Sequence, residues 1–157
     1  MATKITMYTD GAARGNPGPG GYGIVLISGN HRKEISEGYR MTTNNRMELL
    51  AVIVGLETLK KEGSEVTIYT DSRYVADAVE KKWVFGWEKK RFAKKKNADL
   101  WMRFLNVYRR HHVKFVWVKG HNQIPENELC DQLAVDASKK NNLRIDEEYE
   151  YPSKSDL

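Results

Sequence analysis

Two six-residue stretches constrain this chain more than anything else in it. Ile5-Thr6-Met7-Tyr8-Thr9-Asp10 and Val66-Thr67-Ile68-Tyr69-Thr70-Asp71 repeat one alternation of aliphatic, threonine and tyrosine side chains, and both close on aspartate. β-Branched and aromatic residues alternating with period two read as strand. Between them, Asn44–Lys61 carries Met47, Leu50, Ala51, Val54 and Leu59 at helical spacing. Thr43 or Asn44 stands where a cap opens such a helix, and Gly63 where one ends it. A strand, a helix and a second strand make a crossover, so the two strands are expected to lie parallel. Side chains alternate along a strand, which puts Asp10 on the face of Tyr8 and Thr6, and Asp71 on that of Tyr69 and Thr67. As neighbours in register, the two strands would release both carboxylates side by side at their C-terminal ends, where open α/β sheets place ligands.

The remaining elements fit around that unit. Lys4–Asp10, Tyr22–Ile27 and Lys33–Tyr39 read as three strands of an antiparallel meander, joined by the turn-rich Gly11–Gly21 loop and the short Ser28-Gly29-Asn30 hairpin. After the second strand of the repeat come helices over about Ser72–Lys82 and Asn97–His111, a strand over Val113–Val118, and a last helix that Pro125 or Glu126 opens. The order β-β-β-α-β-α-α-β-α predicts an α/β fold, a mixed sheet with helices packed on it. Residues 1–141 form one domain with no linker inside it. The segment 142–157 turns acidic at Asp146, Glu147, Glu148 and Glu150 and is expected to be a poorly ordered tail.

Several classes drop out. No apolar run reaches the roughly 20 residues of a membrane helix, and Met1-Ala2-Thr3-Lys4 leads into a strand without the apolar core of a signal peptide. A single cysteine, Cys130, closes no internal disulfide, so the expected setting is the reducing cytoplasm. A monomer with no membrane association and no obligate protein partner is the default.

Two aspartates brought together repel, and one ordinarily takes a proton unless a divalent cation removes the conflict. Each also precedes Gly or Ser, where aspartate commonly starts a turn. Glu48 sits in Met47-Glu48-Leu49-Leu50-Ala51-Val52-Ile53-Val54-Gly55-Leu56, apolar on nearly every side. A carboxylate there is costly unless paired or metal-bound, or unless it reaches solvent near the helix start. Asp131 lies early in the last helix, and His121 in a loop after a strand; neither stands out unaided. All-oxygen carboxylate ligands suit Mg²⁺ or Mn²⁺. No Cys/His cluster, Gly-x-Ser-x-Gly or Walker loop competes, and the Gly11–Gly21 loop has neither dinucleotide-binding nor phosphate-loop spacing.

The net charge of +5 is concentrated. From Lys81 to Lys96 eight basic residues face one acidic residue, a local +7, so the rest of the chain is slightly acidic. Trp83, Phe85, Trp87 and Phe92 interleave with the cations. Such a segment suits ammonium groups on phosphates with rings against sugars and bases. A solvated amphipathic segment anchored by its tryptophans would look similar.

Taken in order, Tyr8-Thr9-Asp10-Gly11, Asn44-Asn45-Arg46-Met47-Glu48, Tyr69-Thr70-Asp71-Ser72, Val118-Lys119-Gly120-His121 and Glu126-Asn127-Glu128-Leu129-Cys130-Asp131 closely resemble the type 1 ribonuclease H family across nearly the whole chain. The resemblance implies a ribonuclease H-like fold: a five-stranded mixed sheet, its first three strands antiparallel, with helices on both faces. It implies an endonuclease that cuts the RNA strand of RNA/DNA hybrids by two-metal chemistry, leaving 5′-phosphate and 3′-hydroxyl ends. Asp10, Glu48, Asp71 and Asp131 would hold two Mg²⁺ ions, with Mn²⁺ as a substitute, and His121 would assist proton transfer or product release. Ala13, Gly15, Asn16, Asn44, Asn45 and Arg73 match minor-groove contacts, which sense 2′-hydroxyls. Thr43 matches a DNA-phosphate site, the basic protrusion with Trp83, Lys89, Lys90 and Arg91 a grip on the DNA strand, and Trp101 an aromatic of the same channel. Two positions depart from the pattern: Arg73 stands where relatives often carry Gln, and Gly86 where some carry a phosphate-binding Asn. A strand-transfer enzyme or other nuclease on this fold, and a non-catalytic binder, are the alternatives.

Overall fold

The computed structural model describes residues 3–120 and 124–153. β1 (Lys4–Ala13), β2 (Gly18–Ser28) and β3 (His31–Thr42) form the antiparallel meander, and β4 (Glu65–Thr70) and β5 (His112–Trp117) add in parallel, for a sheet order of β3-β2-β1-β4-β5. The internal repeat is the register: Ile5 lies opposite Val66, Met7 opposite Ile68 and Tyr8 opposite Tyr69, each against its counterpart. The two tyrosine rings stack at 5.0 Å.

The described residues also form six helices: α1 (Asn44–Thr58), α2 (Arg73–Glu80), α3 (Trp83–Lys89), α4 (Ala98–Tyr108), α5 (Pro125–Ser138) and α6 (Glu147–Glu150). The Thr43 side chain caps α1, its Oγ1 accepting from the Arg46 amide at 3.2 Å, and Pro125 opens α5. α1 runs along the Met7/Ile24 face of the sheet, where a Cβ on Gly55 would come within 2.7 Å of Met7 Sδ. α4 covers the outer side of α1, so Met47, Leu49, Leu50, Ala51, Val52, Ile53 and Leu56 are all buried. That double burial explains why its sequence is apolar nearly all round. α5 lies on the opposite face, so close that a Cβ on Gly23 would sit 2.8 Å from Leu133 Cβ. Helices therefore flank both faces, as the resemblance implied.

Three features differ from what the sequence alone suggested. The glycine-rich loop is shorter than the stretch Gly11–Gly21, because β1 and β2 continue into it with Ala12 opposite Gly21 and Ala13 opposite Gly20. The basic aromatic segment contains a helix of its own, α3, seated through buried Val84 and half-buried Phe85 and Trp87. The acidic segment after residue 141 is not loose over its described part. Arg144 exchanges backbone hydrogen bonds with β3, accepting from the Arg40 amide and donating to the Gly38 carbonyl, and Asp146 is buried. The cause is Arg46, only 4 % exposed in the first turn of α1: its guanidinium donates to Asp146 at 2.7 Å and to Asp99 on α4 at 2.7 Å. A buried guanidinium needs paired carboxylates, and one comes from the acidic tail.

Candidate active site

β1, α1 and β4 each deliver one carboxylate to the same point. A single oxygen from each of Asp10, Glu48 and Asp71 can be chosen so that all lie within 4.8 Å of one another. Asp10 and Asp71 arrive there through the paired register of β1 and β4. Glu48 arrives because Gly11 lets the first turn of α1 press onto β1: a Cβ on Gly11 would stand 2.5 Å from the Glu48 amide nitrogen. Gly120 closes the other side, where an added Cβ would be 3.0 Å from Asp71 Oδ2.

The electrostatics are those of a cluster short of positive charge. Asp10 Oδ1 accepts from the Gly11 amide at 2.8 Å. Glu48 Oε1 and Asp71 Oδ1 are enclosed and accept nothing from the described residues. Burial first, then the neighbouring Asp71 and Asp131 charges, push the Asp10 carboxyl up to about 8. Burial, then Asp10 and Asp71, raise that of Glu48. Among the described residues no Lys or Arg forms an ion pair with any of these acids. Crowded hard oxygen donors with orphaned lone pairs match a divalent cation such as Mg²⁺ or Mn²⁺. The chain thus fits the metal that its sequence implies.

Asp131 lines the same cleft from α5, with Lys119, Asn44 and Asn127. It lies close enough to Asp10 to raise its carboxyl but stands outside the tight group of three. Asn127 was not singled out from the sequence, although it sits in the Glu126–Asp131 motif; its Oδ1 is also buried without a donor. Cys130 is no nucleophile here, since its buried thiol faces the Tyr8 carbonyl at 3.2 Å and burial pushes it up, away from thiolate. His121 lies outside the described residues.

The residues matched to substrate contacts fall in different parts of the fold. Asn16 and Asn44 tie the β1–β2 turn to α1: Asn44 Oδ1 accepts from the Ala13 amide, and Asn16 Oδ1 from the Asn44 amide at 2.9 Å. Their carbonyl oxygens are committed inward, which leaves the NH₂ groups as donors, while Asn45 is exposed beside them. Trp83 is 49 % exposed with Lys81 against its ring, and Lys89, Lys90 and Arg91 are exposed on the same protrusion. Trp101 is a correction. It is 1 % exposed, packed against Trp87 and Phe104, with its indole N–H on the Tyr74 hydroxyl at 2.9 Å. Its ring lies in the core and is not offered to a ligand. At Gly86 an added Cβ would meet nothing within 4 Å, so the departure there reflects no steric limit. Arg73 is exposed and lies over the ring of Trp117, a residue the sequence did not mark.

The chain is similar to known proteins. The RNase H family model matches residues 2–139. A ribonuclease H of Desulforamulus reducens is 59% identical over 148 residues, covering 91% of this chain and 92% of its own. One from Rippkaea orientalis is 58% identical over 152 residues, covering 94% and 93%. Among solved structures, LC9-RNase H1, described as a type 1 RNase H with the type 2 active-site motif, superposes with a TM-score of 0.80 at 29% identity over 88% of this chain and 73% of that one. LC11-RNase H1, solved in complex with an RNA/DNA hybrid, gives 0.65 at 26% identity over 85% and 95%. With the carboxylate cluster standing at the ends of paired β1 and β4, and the match running from the first strand to the last turn of α5, the chain belongs to the ribonuclease H family.

Proposed function

We propose that this protein hydrolyses the RNA strand of RNA/DNA hybrids at the Asp10–Glu48–Asp71 cluster, leaving 5′-phosphate and 3′-hydroxyl ends. The observation that carries the reading is the set of converging carboxylates with enclosed, donorless oxygens on Glu48 and Asp71. Asp10, Glu48 and Asp71, with Asp131 at the edge, would hold two Mg²⁺ ions, or Mn²⁺ in their place. Such ions supply an activated water and charge neutralisation at the departing 3′ oxygen. The protein's own part is to hold these acids crowded in a cleft whose far wall is α5. By family resemblance, His121 would assist proton transfer or product release.

Substrate choice follows from the donors around the cleft. The Asn16 and Asn44 NH₂ groups, with Asn45, can donate to 2′-hydroxyl oxygens, which only the RNA strand offers. Thr43 and the cations Lys89, Lys90 and Arg91, with Trp83 among them, meet phosphates and sugars of the DNA strand. No helix among the described residues is long and apolar enough to cross a membrane. A cytoplasmic monomer acting on the hybrid without an obligate partner belongs to the same reading.

The test presents Mg²⁺ and matched RNA/DNA, RNA/RNA and DNA/DNA duplexes. Cutting confined to the RNA of the hybrid is the expected result. Cutting of DNA would point to another nuclease chemistry on this fold, and binding without cutting to a non-catalytic role. Asp10→Asn should abolish cleavage while hybrid binding persists; cleavage at the parent rate would refute the metal assignment.

A further inference from the structure

Arg73 opens α2, two residues after Asp71, and its guanidinium carbon stands 3.9 Å from the centroid of the Trp117 ring. Among the described residues it takes part in no ion pair, although Asp71 is so near in sequence. Arginines such as Arg46, Arg103 and Arg109 behave differently, each closing on a carboxylate. Trp117 is itself fixed from below. It is the last residue of β5, lies opposite Thr70 in the sheet, and its indole N–H donates to the Asp71 carbonyl at 3.0 Å. The next amide, Val118 N–H, donates to the Thr70 carbonyl at 2.9 Å. The end of β5 is thus sewn to the turn that carries Asp71, and the exposed face of Trp117, a residue 38 % exposed, is the bed on which Arg73 rests.

A guanidinium whose carbon is held over an indole face keeps N–H donors of its planar fork free to reach beyond the ring. Donors only, in a fork, match a phosphate's oxygens; they do not reproduce the mixed donor and acceptor of the Gln that relatives often carry at this position. We infer that Arg73 is a phosphate-holding residue at the edge of the carboxylate cleft, and that Trp117 is a positioning residue fixing it relative to Asp71. This rests on the reading that a nucleic-acid duplex lies across the cleft. A charged phosphate contact in place of a neutral amide makes binding depend more on salt than in a Gln-bearing relative.

The experiment is equilibrium binding of fluorescent duplexes with chelator present, so that no cleavage intervenes, at stepped salt concentrations. Arg73→Gln should weaken hybrid and DNA/DNA binding by a similar factor, about tenfold for one charge-assisted contact, and lower the slope of log affinity against log salt by about 0.9. Trp117→Leu should weaken binding in the parent and add little in the Arg73→Gln background. Trp117→Phe, which keeps the ring and loses the N–H, separates the bed from its tether and should retain most of the Arg73 effect. A loss confined to the hybrid with an unchanged slope would show a 2′-hydroxyl contact and overturn the phosphate assignment. Unchanged binding in Arg73→Gln would remove the residue from the interface, and full additivity of the two substitutions would overturn the role of Trp117. Because binding is read without catalysis, these results stand apart from whether the protein cuts hybrids.

Discussion

Replacing Asp10 with asparagine should make the metal-free protein more stable. Asp10→Asn preserves volume and an acceptor for the Gly11 amide, which now donates to Oδ1 at 2.8 Å, while removing one of three crowded acids. The folded Asp10 carboxyl stands at about 8 against an ordinary 3.8. Between those values the folded state keeps a proton that the unfolded chain has released, so stability falls as pH rises through the window and levels off above 8. At neutral pH roughly three units of the shift are expressed, about 4 kcal/mol at 1.36 kcal/mol per unit. Burial is the largest cause of that cost and repulsion from Asp71 the next; an asparagine amide in the same place still loses some hydration, so one substitution should recover about 2–3 kcal/mol. For a chain of this size that is a rise in melting temperature of roughly 5–10 °C. Thermal unfolding in chelator across a pH series measures it, and the gain should grow with pH up to about 8. Added Mg²⁺ should then narrow or reverse the difference, because it stabilises only the protein that binds it. A variant no more stable than the parent, or a gain that shrinks as pH rises, would refute the description of the cluster as buried, crowded carboxylates.

Three further outcomes follow from the same contacts. Divalent-ion binding must displace the Asp10 proton, so below pH 8 apparent affinity should climb by up to about tenfold per pH unit; calorimetry in buffers of different ionisation enthalpy should detect the released proton, and a buffer-independent heat would contradict it. Charge reversal at Lys89, Lys90 and Arg91 should raise KM with little change in kcat and flatten the salt dependence by about 0.9 per lost phosphate contact; steady-state kinetics with KM and its slope unmoved would detach the protrusion from the substrate. Asp146→Ala leaves the buried Arg46 with Asp99 as its only carboxylate and should cost about 3 kcal/mol in urea unfolding; a loss near zero would mean that the acidic segment contributes nothing to the fold.

The parts of the fold readable from sequence are those encoded locally. Period-two alternation and the repeat marked β1 and β4, and because register follows the alternation, the pairing of Tyr8 with Tyr69 was implicit in the text of the chain. The Thr43 cap and Pro125 start are likewise short-range signals. What sequence could not show is which distant charges meet. Arg46 in the Asn44–Glu48 motif looks like an exposed helical arginine, and only its burial beneath α4 requires Asp146 to come back across about 100 positions of chain. Acidic composition suggested disorder for the tail; a single buried cation elsewhere reversed that.

The site shows the same division at closer range. Asp10 and Asp71 were placed together by strand geometry, and Glu48 by its apolar surroundings, yet the glycines that let the three converge carry no chemistry to attract notice. Gly11 sets how near α1 may come, and Gly120 how close the loop lies to Asp71. The aromatics make a sharper case. Trp83 and Trp101 are alike in chemistry, but Trp101 sits with Leu100, Phe104, Leu105 and Val107 on the buried side of α4, whereas Trp83 has lysines before it and a protrusion around it. Periodicity of the neighbours thus separates core from contact surface, and it was present in the sequence for Trp101. Trp117 is the harder one: at the end of a strand it has no such neighbours, and its role depends on the Asp71 carbonyl beneath it and the Arg73 cation above it. A residue whose function lies in joining two others is visible only once the chain is folded.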